Sequence, residues 1–386
     1  MAPVPTERDL RLDLFRGLAL WLIFLDHIPS NLVSWVTIRN YGFSDATEIF
    51  VFISGYTAAF VYGRAMAANG FIIAAARVLK RAWQIYVAHV FLFAIYLAEI
   101  SYVSHSFDNP LYSEEMGVLN FLNNPDVTII QALLLKFKPV NMDVLPLYIV
   151  LLLWFAPILW LLLRSPTLAL LVSAAIYTMS WMFEWNLPAY PSGDWAFNPL
   201  AWQLLFVFGA WCALGGAARL ARWTKSRVVV ALAFCYLAFA FGIAMTWYFP
   251  ALGAYVPKFI GEAIYPIDKT NLDVLRILHF LSLAVITVWL VPPDWPALKS
   301  PACWPAIVCG RHSLEIFCLG VFLSFAGHFV FTEVSNRVFM HVVVSVSGIA
   351  IMVGAGAMIS WYRRVERQGS GPRPPATKPG YAGSET

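Results

Sequence analysis

Charged residues are scarce in this sequence. Asp, Glu, Lys and Arg make up 12% of the 386 residues, whereas hydrophobic residues make up 60%. A soluble domain has about 25% charged residues on average. This composition excludes an ordinary soluble domain and predicts an all-α integral membrane protein that lies in a lipid bilayer.

Cysteine is scarce too, and its placement excludes two kinds of site. The five cysteines all lie in apolar segments, without a C-x-x-C pair or a nearby histidine cluster. We therefore expect neither a disulfide framework nor a metal site. The sequence also lacks a phosphate-binding G-x-x-x-x-G-K-[ST] loop and a dinucleotide fingerprint, which argues against a nucleotide-driven pump. We expect no nucleic-acid partner.

Apolar runs of about 17 residues or more are long enough to cross a bilayer. The sequence contains ten such runs: residues 17–36, 46–63, 83–103, 145–163, 167–183, 199–217, 228–249, 274–291, 303–325 and 338–361. We therefore predict about ten transmembrane helices in a multi-pass protein.

Lys and Arg are distributed unevenly among the segments that separate these runs. With the N-terminus in the cytoplasm, 18 of the 26 Lys and Arg residues fall on the cytoplasmic side and six on the outer side. Cytoplasmic segments of membrane proteins are enriched in positive charge. Both termini are therefore predicted to be cytoplasmic. Residues 1–362 are predicted to form one polytopic membrane domain, and residues 363–386 a disordered cytoplasmic tail.

The first run carries an arginine at its cytoplasmic entrance and a histidine well inside. Arg16 and His27 are eleven residues apart, close to three helical turns, so they share one face about 16 Å apart. An ionisable side chain inside a span is costly and suggests function. Arg16 could hold a phosphate and His27 could act as a general base. The alternatives are a cytoplasmic anchor for Arg16 and a buried helix–helix hydrogen bond for His27.

Two acidic residues share a face at the outer end of the second run. Asp45 and Glu48 are three residues apart, and their depth is close to that of His27 if the first two runs pack as a hairpin. Glu48 could then orient His27 or stabilise its protonated form. The alternative is that both acids only favour the positive end of a helix dipole.

A third group of polar residues precedes and enters the eighth run. Asp273, Arg276 and His279 follow one another at three-residue intervals on one helix stripe, just after Lys269 and Asn271. Such groups at membrane depth are costly unless they line a cavity or pair with each other. We expect a polar pocket for an acyl group or an acceptor. The alternative is an internal Asp273–Arg276 pair.

Three further features bear on substrates. Arg311, near the cytoplasmic end of the ninth run, is a candidate second contact for an anionic donor, with simple packing as the alternative. The outer segments 104–144 and 184–198 mix carboxylates and amides with Trp and Tyr. That mixture suits a sugar-binding surface, and it also suits an ordinary interfacial loop with an aromatic belt.

Four motifs in this order resemble the OpgC family, the succinyltransferases of osmoregulated periplasmic glucans. That family is itself similar to the wider acyltransferase family 3 of membrane enzymes. The resemblance covers residues 8–362. Its motifs are the spacing of Arg16 and His27, FSDATEIFVFISG at 43–55, DKTNL with LRILHFL within 268–281, and GRHSLEIF at 310–317.

The resemblance implies an acyltransferase in the bacterial inner membrane. It implies succinyl-CoA as the cytoplasmic donor, glucan hydroxyls as the periplasmic acceptor, and no cofactor besides this co-substrate. His27 matches the family's essential histidine, and Arg16 matches its paired arginine. The sequence leaves open whether the protein forms an oligomer.

Two alternatives to this function remain. One is transfer of acetyl or another acyl group to a different envelope polysaccharide. The other is a proton-coupled transporter whose relay would use titratable residues in the spans: His27, Glu48, Asp273 and His279.

Overall fold

The structure is a computed structural model that describes residues 9–369. This part of the chain is helical, and it contains no β-strand beyond one isolated bridge between Pro188 and Asp194. Its α-helices are α1 (Leu10–His27), α2 (Ala46–Ser106), α3 (Leu111–Glu115), α4 (Leu119–Asn123), α5 (Pro125–Leu133), α6 (Val144–Leu153), α7 (Phe155–Arg164), α8 (Pro166–Met182), α9 (Pro199–Trp211), α10 (Ala217–Thr224), α11 (Arg227–Tyr248), α12 (Pro250–Gly253), α13 (Lys258–Ile264), α14 (Val274–Leu290), α15 (Trp304–Arg311), α16 (Ser313–Phe329) and α17 (Val338–Gly369).

Helix α1 begins and ends earlier than its predicted bounds of 17–36. Asp9 caps it by accepting a hydrogen bond of 2.9 Å from the backbone N–H of Arg11. Pro29 stops it, because proline disfavours helical backbone in the residue before it, and Ile28 is extended. The prediction that His27 lies well inside a helix is therefore wrong. His27 is the last residue of α1.

Helix α2 contains two of the predicted runs in 61 residues. A straight helix of that length would be about 90 Å long. Gly70 interrupts it with φ 79° and ψ 178°. Arg81, after this break, lines the same cavity as Thr57 and Tyr62 before it. The chain therefore bends sharply near Gly70, and residues from both halves of α2 meet at one cavity.

Among residues 9–369, five helical segments are long and apolar enough to cross a membrane. They are Ala46–Ser106, Pro199–Thr224, Arg227–Tyr248, Ser313–Val334 and Val338–Glu366. A sixth is added if α6 and α7, which bend by 55° at their junction, form one span. The apolar helices α8 and α14 are shorter. The chain therefore has the helices of a membrane protein, whereas ten spans and cytoplasmic termini stay predictions.

Three other predicted segments differ in the structure. The run 303–325 is broken at His312, which separates α15 from α16 with non-helical backbone angles. The outer segment 104–144 is not one loop, because it contains three short helices and buries Tyr112 and Met116. Of the predicted tail, residues 363–369 continue α17, and residues 370–386 lie outside the described residues.

Helices α1 and α15 cross closely at two glycines. A Cβ atom on Gly17 would overlap the backbone oxygen of Ala306, and one on Gly310 would overlap that of Asp13. Small residues let helix backbones approach in this way, which membrane proteins use for packing. The same device joins α2 to α9 at Gly55. The position of α1, which carries Arg16 and His27, depends on its crossing with α15.

Replacing Gly310 by alanine should destabilise the protein by about 1–3 kcal/mol, because the added methyl group meets backbone rather than a movable side chain. The measurement is the thermal unfolding midpoint of the protein purified in detergent. Gly242→Ala in α11 is the matched control, since no atom lies within 4 Å of its Cβ position. Equal midpoints for the two variants would contradict this account of the crossing.

Candidate active site

A cavity of about 480 Å³ lies at the outer end of α1. Its walls come from the end of α1, the start of α2 and the segment before α14. Its charged and titratable lining residues are Asp26, His27, Arg39, Asp45, Lys269 and Arg276. We call this the outer cavity. It gathers predicted site residues from three distant parts of the chain.

Arg276 links the start of α14 to the start of α2. It is buried, and its Nε donates a hydrogen bond of 2.8 Å to Glu48 Oε1. Its Nη2 donates one of 3.2 Å to Asp45 Oδ2. The Nζ of Lys269 lies 2.6 Å from the same Asp45 oxygen. Two cations and two carboxylates therefore form one network, which we call the Arg276 network.

The acidic pair also closes the first turn of α2. Asp45 Oδ1 accepts a hydrogen bond of 2.8 Å from the backbone N–H of Thr47. Glu48 Oε2 accepts one of 2.9 Å from the backbone N–H of Asp45. One carboxylate oxygen of Glu48 thus accepts from the Asp45 backbone, and the other accepts from Arg276. The hydrogen bonds of residues 9–369 do not join Glu48 to His27.

His27 presents its ring to the outer cavity from the end of α1. Its backbone oxygen accepts a hydrogen bond of 3.1 Å from Asn141 Nδ2, which holds the helix end. Within the described chain, no hydrogen bond joins the ring to another residue. Asp26, which lines the same cavity, accepts a hydrogen bond of 2.7 Å from Thr37 Oγ1. The imidazole therefore lines the cavity without a hydrogen-bond partner among the described residues.

His279 holds the segment before α2 instead of lining the outer cavity. Its Nδ1 lies 3.3 Å from the backbone nitrogen and 2.7 Å from the Oγ of Ser44. Because a backbone N–H can only donate, Nδ1 is the acceptor, and the hydroxyl donates to it as well. A side chain at Gly42 would overlap the other ring nitrogen. His279 is therefore packed tightly between Gly42 and Ser44.

The remaining residues of the third predicted group have local roles. Asp273 caps α14 by accepting a hydrogen bond of 2.8 Å from the backbone N–H of Leu275. The alternative of an internal Asp273–Arg276 side-chain pair is wrong, since Arg276 reaches Asp45 and Glu48. Asn271 donates to Asp268 Oδ2 at 2.7 Å and accepts from Asn198 at 2.8 Å. Of the predicted pocket residues, Lys269 and Arg276 line the outer cavity.

The run 17–36 predicted Arg16 just before the first helix, whereas it is the seventh residue of α1. A second cavity, of about 160 Å³, lies beside the first half of α1. Arg16 lines it, is buried, and donates from Nη2 to the backbone oxygen of Ile53 at 2.9 Å and to Thr57 Oγ1 at 2.5 Å. The polar residues around Arg16 are Ser54, Thr57, Tyr62, Arg81, Tyr148 and Ser313. We call this the inner cavity. Arg16 and His27 therefore lie on one helix and open to different cavities.

Sequence reasoning missed two arginines that line these cavities. Arg81 joins Arg16 in the inner cavity because α2 bends sharply near Gly70. In the sequence, Arg81 belongs to a basic cluster that indicated only the cytoplasmic side. Arg39 lines the outer cavity from a short 3₁₀ helix that no hydrophobic pattern marks. The predicted donor contact Arg311 lies outside both lining sets and pairs with Asp13 at 3.7 Å.

Nearly the whole chain resembles one known protein family. A family model described as OpgC protein matches residues 8–364. No curated protein and no solved structure matches the chain.

In residues 9–369, no group of three or more His, Cys, Asp or Glu side chains is arranged to hold a metal ion.

Replacing Arg276 by methionine should destabilise the protein by about 3–5 kcal/mol, because it leaves the buried Glu48 carboxylate without a charged partner. The measurement is the thermal unfolding midpoint in detergent. Adding Glu48→Gln to Arg276→Met should recover part of the loss, since it removes one of those charges.

Arg363→Met is the matched control for this substitution. Arg363 Nη2 lies 2.8 Å from Glu315 Oε1, the two side chains are 50% and 42% exposed, and an exposed pair contributes about 0–1 kcal/mol. The Arg276 network would not be the stabilising element if the control lowered the midpoint as much as Arg276→Met does.

Proposed function

Because this chain belongs to the OpgC family, we propose that it transfers succinyl groups from succinyl-CoA to hydroxyl groups of osmoregulated periplasmic glucans. Family membership indicates a glucan-modifying acyltransferase, and the apolar helices indicate a membrane protein. One observation supports the finer assignment. A buried arginine in the first half of α1 and a histidine at its last residue open to separate cavities.

The inner cavity suits the donor. Arg16 and Arg81 can meet the phosphates of a coenzyme A, because guanidinium groups bind phosphate with paired hydrogen bonds. We propose Arg311 as a further contact outside the cavity, two residues from its lining residue Ser313. The pantetheine arm would extend from there toward His27. No other cofactor is required by this chemistry.

His27 is the proposed general base. Its neutral imidazole takes the proton from a glucan hydroxyl as that oxygen attacks the thioester carbonyl. The carbon–sulfur bond then breaks, an ester bond forms, and the proton passes to the leaving thiol. Asp45 and Glu48 act as positioning residues in this proposal. Their carboxylates hold Arg276 and the first turn of α2 at the wall of the outer cavity.

The acceptor would approach the outer cavity. Trp247 and Tyr265 line it, are exposed, and are joined by a hydrogen bond from the indole N–H to the phenol oxygen. Such amphipathic rings offer an apolar face and a polar edge to a sugar. The segment 184–198 suits this role less well. Its Trp195 is buried and lies under the Lys138 ammonium.

We also propose the topology that the sequence predicts. We place ten spans in the bacterial inner membrane, with both termini in the cytoplasm and residues 1–362 as one acyltransferase domain. Arg16 then faces the cytoplasm and His27 faces the periplasm. This orientation puts each cavity on the side where its substrate is found.

Replacing His27 by alanine should lower transfer about 10²–10⁴-fold, because a positioned general base contributes about that much. We would express wild type and His27→Ala at matched membrane levels in a host without its own modifying enzyme. The periplasmic glucans would then be weighed by mass spectrometry. A succinyl increment is expected with wild type, and an acetyl increment would instead support the alternative acyl group.

His105→Ala serves as the matched control, since His105 is exposed at the outer end of α2 and lines neither cavity. It should leave the increment unchanged. If His27→Ala kept more than about a tenth of the wild-type increment, His27 would not be the general base. No increment with wild type would overturn the glucan as acceptor.

Single cysteines should show opposite accessibility on the two sides of the membrane. In a variant without native cysteines, Ser192→Cys should react with an impermeant maleimide in cells whose outer membrane alone is permeabilised. Lys225→Cys should react only after the inner membrane is opened, because it lies in a basic segment predicted to be cytoplasmic. Both positions are exposed. Equal labelling of the two before the inner membrane is opened would overturn the proposed topology.

A further inference from the structure

We propose that Arg39, assisted by Lys269, forms a carboxylate-binding subsite in the outer cavity. The subsite would receive the free carboxylate of a dicarboxylic acyl group while the acyl carbonyl lies at His27. This inference rests on the proposed acyl transfer and deepens it, because it explains how a succinyl group would be chosen over a neutral one. It also gives a role to an arginine that the catalytic proposal leaves unused.

Arg39 has unused hydrogen-bonding capacity. A guanidinium group carries five N–H donors. In the described chain, one hydrogen bond leaves the Arg39 guanidinium, from Nη1 to the backbone oxygen of Asp26 at 3.4 Å. The nearest carboxylate oxygen in an ion pair, Asp26 Oδ1, lies 4.0 Å away. The side chain is 53% exposed and lines the outer cavity, so a ligand carboxylate can reach its planar fork.

The backbone that carries Arg39 is held on both sides. Thr37 is fully buried, and its Oγ1 lies 2.7 Å from both Ser34 O and Asp26 Oδ1, within hydrogen-bond distance of each. Asn40 donates to Ser34 O at 2.6 Å and accepts from the Tyr248 hydroxyl at 2.7 Å. The guanidinium therefore starts from a fixed point on the cavity wall. Preorganisation of this kind lowers the cost of binding.

The other cations of the outer cavity are more fully occupied. Arg276 is 9% exposed and already meets Glu48 and Asp45. Lys269 is 44% exposed and lies 2.6 Å from Asp45, which leaves further N–H donors of its ammonium group for a ligand. Arg276 is therefore less accessible to a ligand than Arg39, and its charge already faces two carboxylates. Arg39 is therefore the main contact and Lys269 the second.

Asp26 is the competitor that a ligand carboxylate has to displace. Its carboxylate is held by Thr37 and lies beyond hydrogen-bond distance of Arg39. A carboxylate that met the guanidinium with two parallel hydrogen bonds would have the better geometry. The subsite therefore favours acyl groups that end in a carboxylate over neutral acyl groups of the same length.

The test compares two donors that differ at one end. Succinyl-CoA and butyryl-CoA have acyl chains of four carbons, and butyryl has a methyl group where succinyl has a carboxylate. The full chain would be purified in detergent, so that both cavities are accessible, and supplied with extracted glucan. Transfer of each acyl group is measured for wild type, Arg39→Gln, Arg39→Lys and Arg337→Gln. Arg337 is an exposed arginine predicted on the outer side that lines neither cavity.

We expect Arg39→Gln to lower kcat/KM for succinyl-CoA about tenfold, the effect of losing one charged hydrogen-bond partner. Its kcat/KM for butyryl-CoA should change less than about twofold, because the neutral chain makes no such contact. Arg39→Lys should fall between wild type and Arg39→Gln for succinyl-CoA. Arg337→Gln should match wild type with both donors.

Two results would overturn the subsite. One is an equal loss with both donors in Arg39→Gln, which would indicate a structural role or a contact with the glucan. The other is the absence of any loss with either donor in that variant. Failure of wild type to use either donor would instead overturn the proposed transfer, and the subsite with it, so the two failures are distinguishable.

Discussion

The Arg276 network is the constraint on which the outer cavity depends. A buried charge without a partner is costly in an apolar interior, so each member of the network needs an opposite charge close by. Arg276 meets Glu48 and Asp45, and these carboxylates also satisfy the first turn of α2. The starts of α2 and α14 are therefore fixed relative to each other. The cavity wall that they form is fixed with them.

That wall also shows what the sequence could predict of the site and what it could not. Helical spacing correctly drew attention to Asp273, Arg276 and His279 as titratable groups around the start of one helix. It could not reveal that Arg276 contacts Glu48 and Asp45, or that His279 contacts Ser44, because those contacts are set by the fold. Glu48, for example, lies 228 residues from Arg276 along the chain. Arg39 and Arg81 were missed for the same reason, since their importance comes from the cavities they line.

Hydropathy predicted the helical segments better than it predicted their ends. Apolar runs continue past Pro29 and past His312, so a window of average hydropathy does not stop there. The backbone does stop, because proline constrains the residue before it and His312 adopts non-helical angles. The error at Pro29 mattered most. It put His27 inside a helix, whereas the structure puts it at the helix end beside a cavity.

Helix α1 fixes the distance between the proposed donor contact, Arg16, and the proposed base, His27. A donor on one side of a membrane and an acceptor on the other require a binding group and a base held apart at constant spacing. Eleven residues of continuous helix between Arg16 and His27 give about 16 Å. The crossing with α15 at Gly17 holds this helix in place. Because that spacing is internal to one helix, it does not depend on Arg39. Acyl selectivity can therefore change at the cavity wall while the reach between donor and base stays the same.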